Sequence, residues 1–137
     1  MALATLFSRT LEGVNASSIS IEVHLANGLP KFLLVGLPET AVKESKDRVR
    51  SAILTSQFTF PSRRITVNLA PADLPKEGCR FDLPIALGIL IAANQLAIST
   101  SLGNYEVIGE LALSGELRPV KGVLPIALAA KNARRSL

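Results

Sequence analysis

The chain has few of the residues that build metal, disulfide and stacking sites. Its 137 residues include no tryptophan, one tyrosine, one histidine and one cysteine. A lone Cys79 excludes an internal disulfide and favours a cytoplasmic protein. One cysteine and one histidine are too few for a typical zinc site, so we expect no metal centre. Aromatic residues make up only 4% of the chain, which argues against base stacking as a main binding mode.

Membrane, secretion and nucleotide signals are absent as well. The longest uncharged apolar stretch, residues 83–93, is too short to cross a bilayer. The first residues do not place a basic segment ahead of an apolar one, so they do not read as a secretory signal. The sequence lacks G-x-x-x-x-G-K-[ST], the loop that cradles nucleotide phosphates. We therefore expect no membrane association and no cofactor in this domain.

Apolar residues are abundant and periodic. They form 48% of the chain, and this length suits one domain with a real core. Alternation predicts strands over 3–11, 17–26 and 32–35, which we expect to be antiparallel. In the second strand, one face carries four aliphatic side chains, from Ile19, Ile21, Val23 and Leu25.

Helical and strand patterns then alternate along the chain. The pattern predicts, in order, a helix from Gly36 to about Ser56, a strand over 65–69, a helix over 83–93, a hairpin formed by 106–113 and 116–118, and a helix over 123–133. The fold class is therefore α+β, a mixed α/β sandwich in the order β-β-β-α-β-α-β-β-α, with the helices on one face.

The uncharged second helix is predicted to lie inside the core. We expect Asp82 to be its N-cap and Gly88 to mark a close approach to another element. Cys79 lies beside Arg80, which favours the thiolate, but no second histidine is present to act as its base. His24 is expected to be an exposed strand residue.

Basic residues form the candidate functional set. The net charge is +4, which favours an anionic partner. One group flanks the fourth strand, with two residues at its start and two in the loop after it. A second group lines the polar side of the first helix. We predict that these residues contact DNA or another anion through phosphates; they are Arg63, Arg64, Lys76, Arg80, Lys43, Lys46 and Arg50. Alternatively, they are solvated surface, or they pair with a neighbouring subunit. Arg80 is expected to point towards Asp82 or solvent.

Three blocks carry a family resemblance. They read VHLANGLP at 23–30, LVGLPETAVKESKDRVR at 34–50 and RITVNLAPADLPKEG at 64–78. These blocks resemble the N-terminal domain of the ComM/YifB family, bacterial magnesium-chelatase-like AAA+ ATPases. The resemblance implies a hexameric DNA branch-migration helicase of natural transformation. In that family an ATPase domain, which binds ATP and Mg²⁺, follows this region. We therefore expect 1–137 to be a single N-terminal domain cut from a longer chain, with DNA, its own ATPase domain and other subunits as partners.

A more distant resemblance concerns catalysis. PKEGCRF at 75–81 and residues 109–130 are similar to the segments of the Lon proteolytic domain that carry its serine nucleophile and lysine base. The resemblance implies the fold shared by Lon, GHMP kinases and the second domain of small-subunit ribosomal protein five. Arg80 and Ile126 stand at the two catalytic positions, and neither can replace the lost group. We expect a non-catalytic domain; the alternatives are a hydrolase with a displaced site and a magnesium-chelatase-type subunit.

Overall fold

The computed structural model describes residues 2–13, 15–76, 78–98 and 101–137. Strands and helices follow one another in a mixed α+β arrangement with three helices, which confirms the α+β part of the predicted fold class. Their bounds are β1 Ala2–Glu12, β2 Asn15–Ala26, β3 Lys31–Val35, α1 Glu39–Thr55, β4 Arg64–Ala70, α2 Asp82–Ala92, β5 Glu110–Leu111, β6 Leu117–Arg118 and α3 Val123–Asn132. Short 3₁₀ turns occupy Gly78–Phe81 and Leu102–Asn104. Within the described ranges, every helix is too short or too polar to cross a membrane.

The main sheet has the strand order β1-β2-β4-β3. β1 and β4 each pair with β2 in antiparallel fashion, whereas β3 pairs with β4 in parallel. The prediction of three consecutive antiparallel strands was therefore wrong for β3. A helix, α1, joins β3 to β4 and returns the chain to the same end of the sheet, and such a crossover is how parallel neighbours are connected.

The buried face of the sheet forms the core with α1 and α2. Ile19, Ile21, Val23 and Leu25 are completely buried, as their alternation predicted. Gly88 lies against this face: a Cβ atom placed on it would be 2.5 Å from Val23 Cγ2 and 3.1 Å from Leu6 Cδ1. The close approach predicted at this glycine is confirmed. On the opposite face, half-exposed polar side chains meet, and Asn68 donates to the Glu22 carboxylate over 3.1 Å.

The predicted hairpin after α2 is shorter than expected. Only Glu110–Leu111 and Leu117–Arg118 pair as strands. The residues just before them lie along the edge of β1 instead, where the Val107 N–H donates to the Phe7 carbonyl over 2.8 Å. On their other side, the Glu106 N–H donates to the Ser136 carbonyl over 2.7 Å. The predicted strand therefore divides, because β1 offers an unpaired edge that takes up its first part.

Candidate nucleic-acid interface

A basic cleft opens between the start of β3, the outer side of α1 and the loop that leads into β4. Its volume is about 370 Å³. Four basic side chains line it, together with the rings of Phe32 and Phe60; they belong to Lys31, Lys46, Arg50 and Arg63. Lys46 and Arg50 are one helical turn apart on α1, so both reach the same side of the helix. The cleft therefore joins cations from three different segments of the chain.

The two phenylalanine rings support the cations that α1 contributes. The ring centroids of Phe32 and Phe60 are 5.6 Å apart, with the ring planes inclined by 44°. The Lys46 Nζ atom is 5.6 Å from the centroid of Phe32, and the Arg50 Cζ atom is 4.9 Å from that of Phe60. Both distances suit cation–π contacts, which hold a charge in place without neutralising it.

The cleft carries little opposing charge. Asp47 is the one carboxylate among its lining residues. Throughout the part of the chain that the structure describes, no ion pair reaches Lys31, Lys46, Arg50 or Arg63. The Arg63 Nε atom is buried, and no hydrogen-bond acceptor for it lies among the described residues. An anion entering the cleft would therefore meet several unneutralised cations, and one of them, Arg63, has an unpaired donor.

Sequence reasoning found part of this cleft. The structure brings together Lys46, Arg50 and Arg63 from the predicted set. Lys43 is exposed on α1 beside Glu39 and Glu44, outside the cleft lining. Arg64 is exposed at the start of β4, in register with Lys31 of β3. Lys31 was missed because its position depends on the parallel pairing of β3 with β4, which the strand pattern did not reveal.

Lys76 and Arg80 are not at the surface, which corrects their predicted role. Lys76 is 7% exposed, and its Nζ atom donates to the carbonyl oxygens of Pro71 and Leu74 over 2.6 and 3.1 Å. Burial lowers the pKa of Lys76, while nearby Asp73 acts in the opposite direction. The ammonium group satisfies carbonyls of its own loop, so it is not presented to a ligand.

Arg80 is 3% exposed and donates from Nη1 to the Lys121 carbonyl over 3.3 Å. We expected it to point towards Asp82 or solvent; the solvent alternative was wrong, because its guanidinium reaches the segment that precedes α3. Ile126, the other position compared with the Lon dyad, is completely buried within α3. The two positions thus hold packed side chains, and neither offers a nucleophile or a base.

Asp82 joins three elements instead of capping one. It is the first residue of α2, Phe81 is the N-cap, and no side chain forms a cap hydrogen bond there. The N-cap prediction was therefore wrong. The Asp82 carboxylate accepts hydrogen bonds from Arg48 Nε over 2.6 Å, from Ser45 Oγ over 2.8 Å and from the Leu111 N–H over 3.2 Å. Because a buried carboxylate must be hydrogen-bonded, Asp82 accepts from these donors and forms no capping hydrogen bond with the backbone of its own helix.

Two opposing effects act on the pKa of Asp82, which is paired with Arg48. Burial raises the pKa of Asp82, and the hydrogen bonds from Arg48, Leu111 and Ser45 oppose that rise. The hydrogen bond to Asp82 is the main cause that raises the pKa of Arg48. Arg48 therefore points inward from α1 and serves the fold, whereas Lys46 and Arg50 on the same helix line the cleft.

Comparisons with known proteins assign the chain to a family. Residues 21–137 match the family model described as subunit ChlI of Mg-chelatase. The chain belongs to this Mg-chelatase ChlI family. It is 60% identical over all 137 residues to competence protein ComM of Haemophilus influenzae, and 56% identical over the same length to the uncharacterized protein YifB of Salmonella typhimurium. The YifB protein of Escherichia coli is 52% identical over 137 residues. The chain spans 27% of the length of each of these three relatives.

Proposed function

We propose that this chain is the non-catalytic N-terminal domain of a ComM-like AAA+ ATPase, and that its basic cleft engages DNA for a branch-migration motor during natural transformation and recombination. The observation that carries the proposal is the cluster of Lys31, Lys46, Arg50 and Arg63 around one concave surface. Phosphate contacts dominate the affinity of proteins for nucleic acids, and unneutralised lysine and arginine supply them. The similarity to competence protein ComM supports DNA as the anion.

The same proposal assigns the chemistry to another part of the protein. The proposal includes a fold related to that of Lon and the GHMP kinases. In that comparison, Arg80 and Ile126 occupy the positions of the Lon catalytic dyad. ATP and Mg²⁺ would be held by an ATPase domain, in a cytoplasmic homo-hexamer. A hydrolase with a displaced site and a chelatase-type subunit are the weaker alternatives, because buried Arg80 and Ile126 provide no catalytic group.

A second function, organising the ring, is favoured by a different surface. α3 exposes three large apolar side chains, those of Val123, Leu124 and Leu128, which are 45%, 70% and 54% exposed. Exposed apolar groups grouped on one helix suit contact with another protein surface. In this function the domain would hold a neighbouring subunit or the ATPase domain, and the cleft cations would pair with acidic residues there.

A salt titration tests DNA engagement directly. Labelled single- and double-stranded DNA is titrated with the chain at two salt concentrations, and with the variant Lys46→Glu/Arg50→Glu. Four phosphate contacts predict a log–log salt slope near −3 on single strands, about −0.7 for each contact. The control is Lys43→Glu/Lys131→Glu, an equal charge change at exposed positions outside the cleft. Equal losses in the two variants would contradict a specific role for the cleft.

An experiment on the proposed longer, ComM-like protein distinguishes DNA engagement from ring organisation. Arg63→Glu/Arg64→Glu is introduced there, and both DNA affinity and assembly are measured, the latter by sedimentation. Loss of DNA affinity with the oligomer intact supports DNA engagement. Loss of the oligomer with DNA affinity intact assigns the domain to ring organisation.

A further inference from the structure

We propose that the basic cleft is a discrete oxyanion pocket that takes one phosphate group, with Arg63 as the residue that recognises it. The inference deepens the proposed function and rests on it for DNA as the natural source of the phosphate. It differs from a diffuse electrostatic surface in one respect: the geometry of the Arg63 donors, and not only their charge, decides binding. Phosphate monoesters and diesters share the oxygen atoms that such a pocket would bind.

The first argument is the unpaired donor. Arg63 Nε is buried without a hydrogen-bond acceptor among the described residues. A buried donor that lacks a partner costs free energy, and an acceptor that reaches it recovers that cost. The side chain as a whole is half-buried, and Arg63 belongs to the cleft lining. Arginine binds phosphate through paired donors, Nε–H and one terminal NH₂, and Nε–H is the donor that is unpaired in Arg63.

The second argument is the placement of the surrounding charges. The Lys46 and Arg50 cations lie 5.6 and 4.9 Å from the ring centroids of Phe32 and Phe60, and these cation–π contacts favour positions beside the cleft before a ligand arrives. Lys31 completes the lining from the start of β3. Preordered groups lose less conformational entropy on binding, which favours one defined site.

The third argument is the contrast between neighbouring arginines. Arg64 follows Arg63 directly but belongs to β4 and is exposed in register with Lys31. It is absent from the cleft lining, whereas Arg63 is part of it. Two arginines that are adjacent in sequence therefore have different surroundings, and this provides a matched pair for experiment.

The test uses Arg63→Lys and Arg64→Lys, which keep the charge and remove the guanidinium. Inorganic phosphate is titrated into the chain at constant ionic strength against chloride, and the backbone amide resonances of Lys31, Lys46, Arg50 and Arg63 are followed. We expect saturable shifts with phosphate. Arg63→Lys should weaken phosphate binding about tenfold, the scale of one charge-assisted hydrogen bond, while Arg64→Lys leaves it close to the original affinity. Unfolding midpoints confirm that both variants are folded.

The pocket proposal is overturned if the shifts do not saturate. It is also overturned if Arg63→Lys binds phosphate as well as the original chain. A second arm compares oligonucleotides with 5′-phosphate and 5′-hydroxyl ends. Tighter binding of the phosphorylated end, lost in Arg63→Lys, identifies a strand terminus as the ligand. Equal binding of both ends, weakened in Arg63→Lys, identifies internal phosphodiesters.

The two proposals fail separately. DNA binding that depends on Lys46 and Arg50 without saturable phosphate binding leaves the proposed function standing and removes the pocket. Saturable, Arg63-dependent phosphate binding without DNA binding leaves the pocket and removes DNA as its source.

Discussion

Arg9 and Glu106 form a paired ionic contact between residues 97 positions apart. Arg9 Nε lies 2.7 Å from Glu106 Oε1, and Arg9 Nη2 lies 2.9 Å from Oε2. Arg135 adds a third contact to Oε2 over 3.2 Å and lies over the Phe7 ring at 4.2 Å. The Glu106 side chain is fully buried, so one carboxylate connects β1, the segment along its edge and the residues that follow α3.

Removing the charge of Glu106 should therefore destabilise the whole chain. Glu106→Gln leaves two guanidinium groups near a neutral amide, and breaking a buried pair costs about 3–5 kcal/mol. The loss is measured as the free energy of unfolding in urea. Glu116→Gln, at an exposed position, is the control and should change stability by less than about 0.5 kcal/mol. Similar values for the two variants would contradict the expected penalty for leaving Arg9 and Arg135 without this carboxylate.

Asp82 should give the chain an unusual acid response. Its folded-state pKa lies above the ordinary value of 3.8, so the folded chain binds this proton more tightly than the unfolded chain does. The contribution of Asp82 to stability is therefore greatest below pH 3.8 and falls as the pH rises through the folded-state pKa. Most paired carboxylates show the opposite trend.

The measurement is urea unfolding of the original chain and of Asp82→Asn across the acidic range. The difference in unfolding free energy, original minus variant, should decrease with rising pH and then level off. Asp47→Asn, which removes an exposed carboxylate, corrects for general charge effects. A difference that grows with pH would mean that the hydrogen bonds from Arg48 outweigh burial.

Gly88 should not tolerate a larger side chain. Replacing a helical glycine with alanine usually stabilises a helix by about 0.5–1 kcal/mol. Here the new Cβ would meet Val23 Cγ2 at 2.5 Å, so Gly88→Ala should destabilise instead, and Gly88→Leu should overpack the core by about 1–3 kcal/mol or more. Gly103→Ala serves as the control, because its Cβ would make only an ordinary contact at 3.6 Å. Thermal unfolding checks the order of the three variants.

The isolated chain should hydrolyse neither peptides nor ATP. Arg80 and Ile126 stand at the positions that the resemblance to Lon assigns to its catalytic dyad, and the sequence has no phosphate loop. Purified chain is incubated with casein, with fluorogenic peptides and with ATP. Turnover that survives purification and disappears in Cys79→Ala, or in another single-residue variant, would contradict this expectation and revive the displaced-site hydrolase.

Local patterns predicted the parts of the fold that depend on local rules. The alternation from Ile19 to Leu25 identified a buried strand face, and the uncharged run that contains Gly88 identified the central helix. These features follow from periodicity and side-chain size, which a sequence displays directly.

Other features depend on contacts that no local pattern contains. Asp82 has the residue type of an N-cap, but its carboxylate accepts hydrogen bonds from Arg48 and Ser45 of α1 instead. Lys76 has the composition of a surface lysine, but its own loop turns two carbonyls towards it. The pairing of Arg9 with Glu106 joins distant segments. In each case tertiary packing determines which hydrogen-bond or ionic partner is chosen, and the local sequence does not distinguish between the candidates.

The crossover from β3 through α1 to β4 has a consequence for how this surface can change. Every lining residue of the basic cleft falls between Pro30 and Arg63. The lining of the basic cleft thus comes from one continuous stretch of chain, while the ionic contact of Arg9 with Glu106 lies outside it. Under the proposed function, exchanging this single uninterrupted segment, with its inward anchor Arg48 retained, should be enough to alter ligand preference or to transfer it to a related domain.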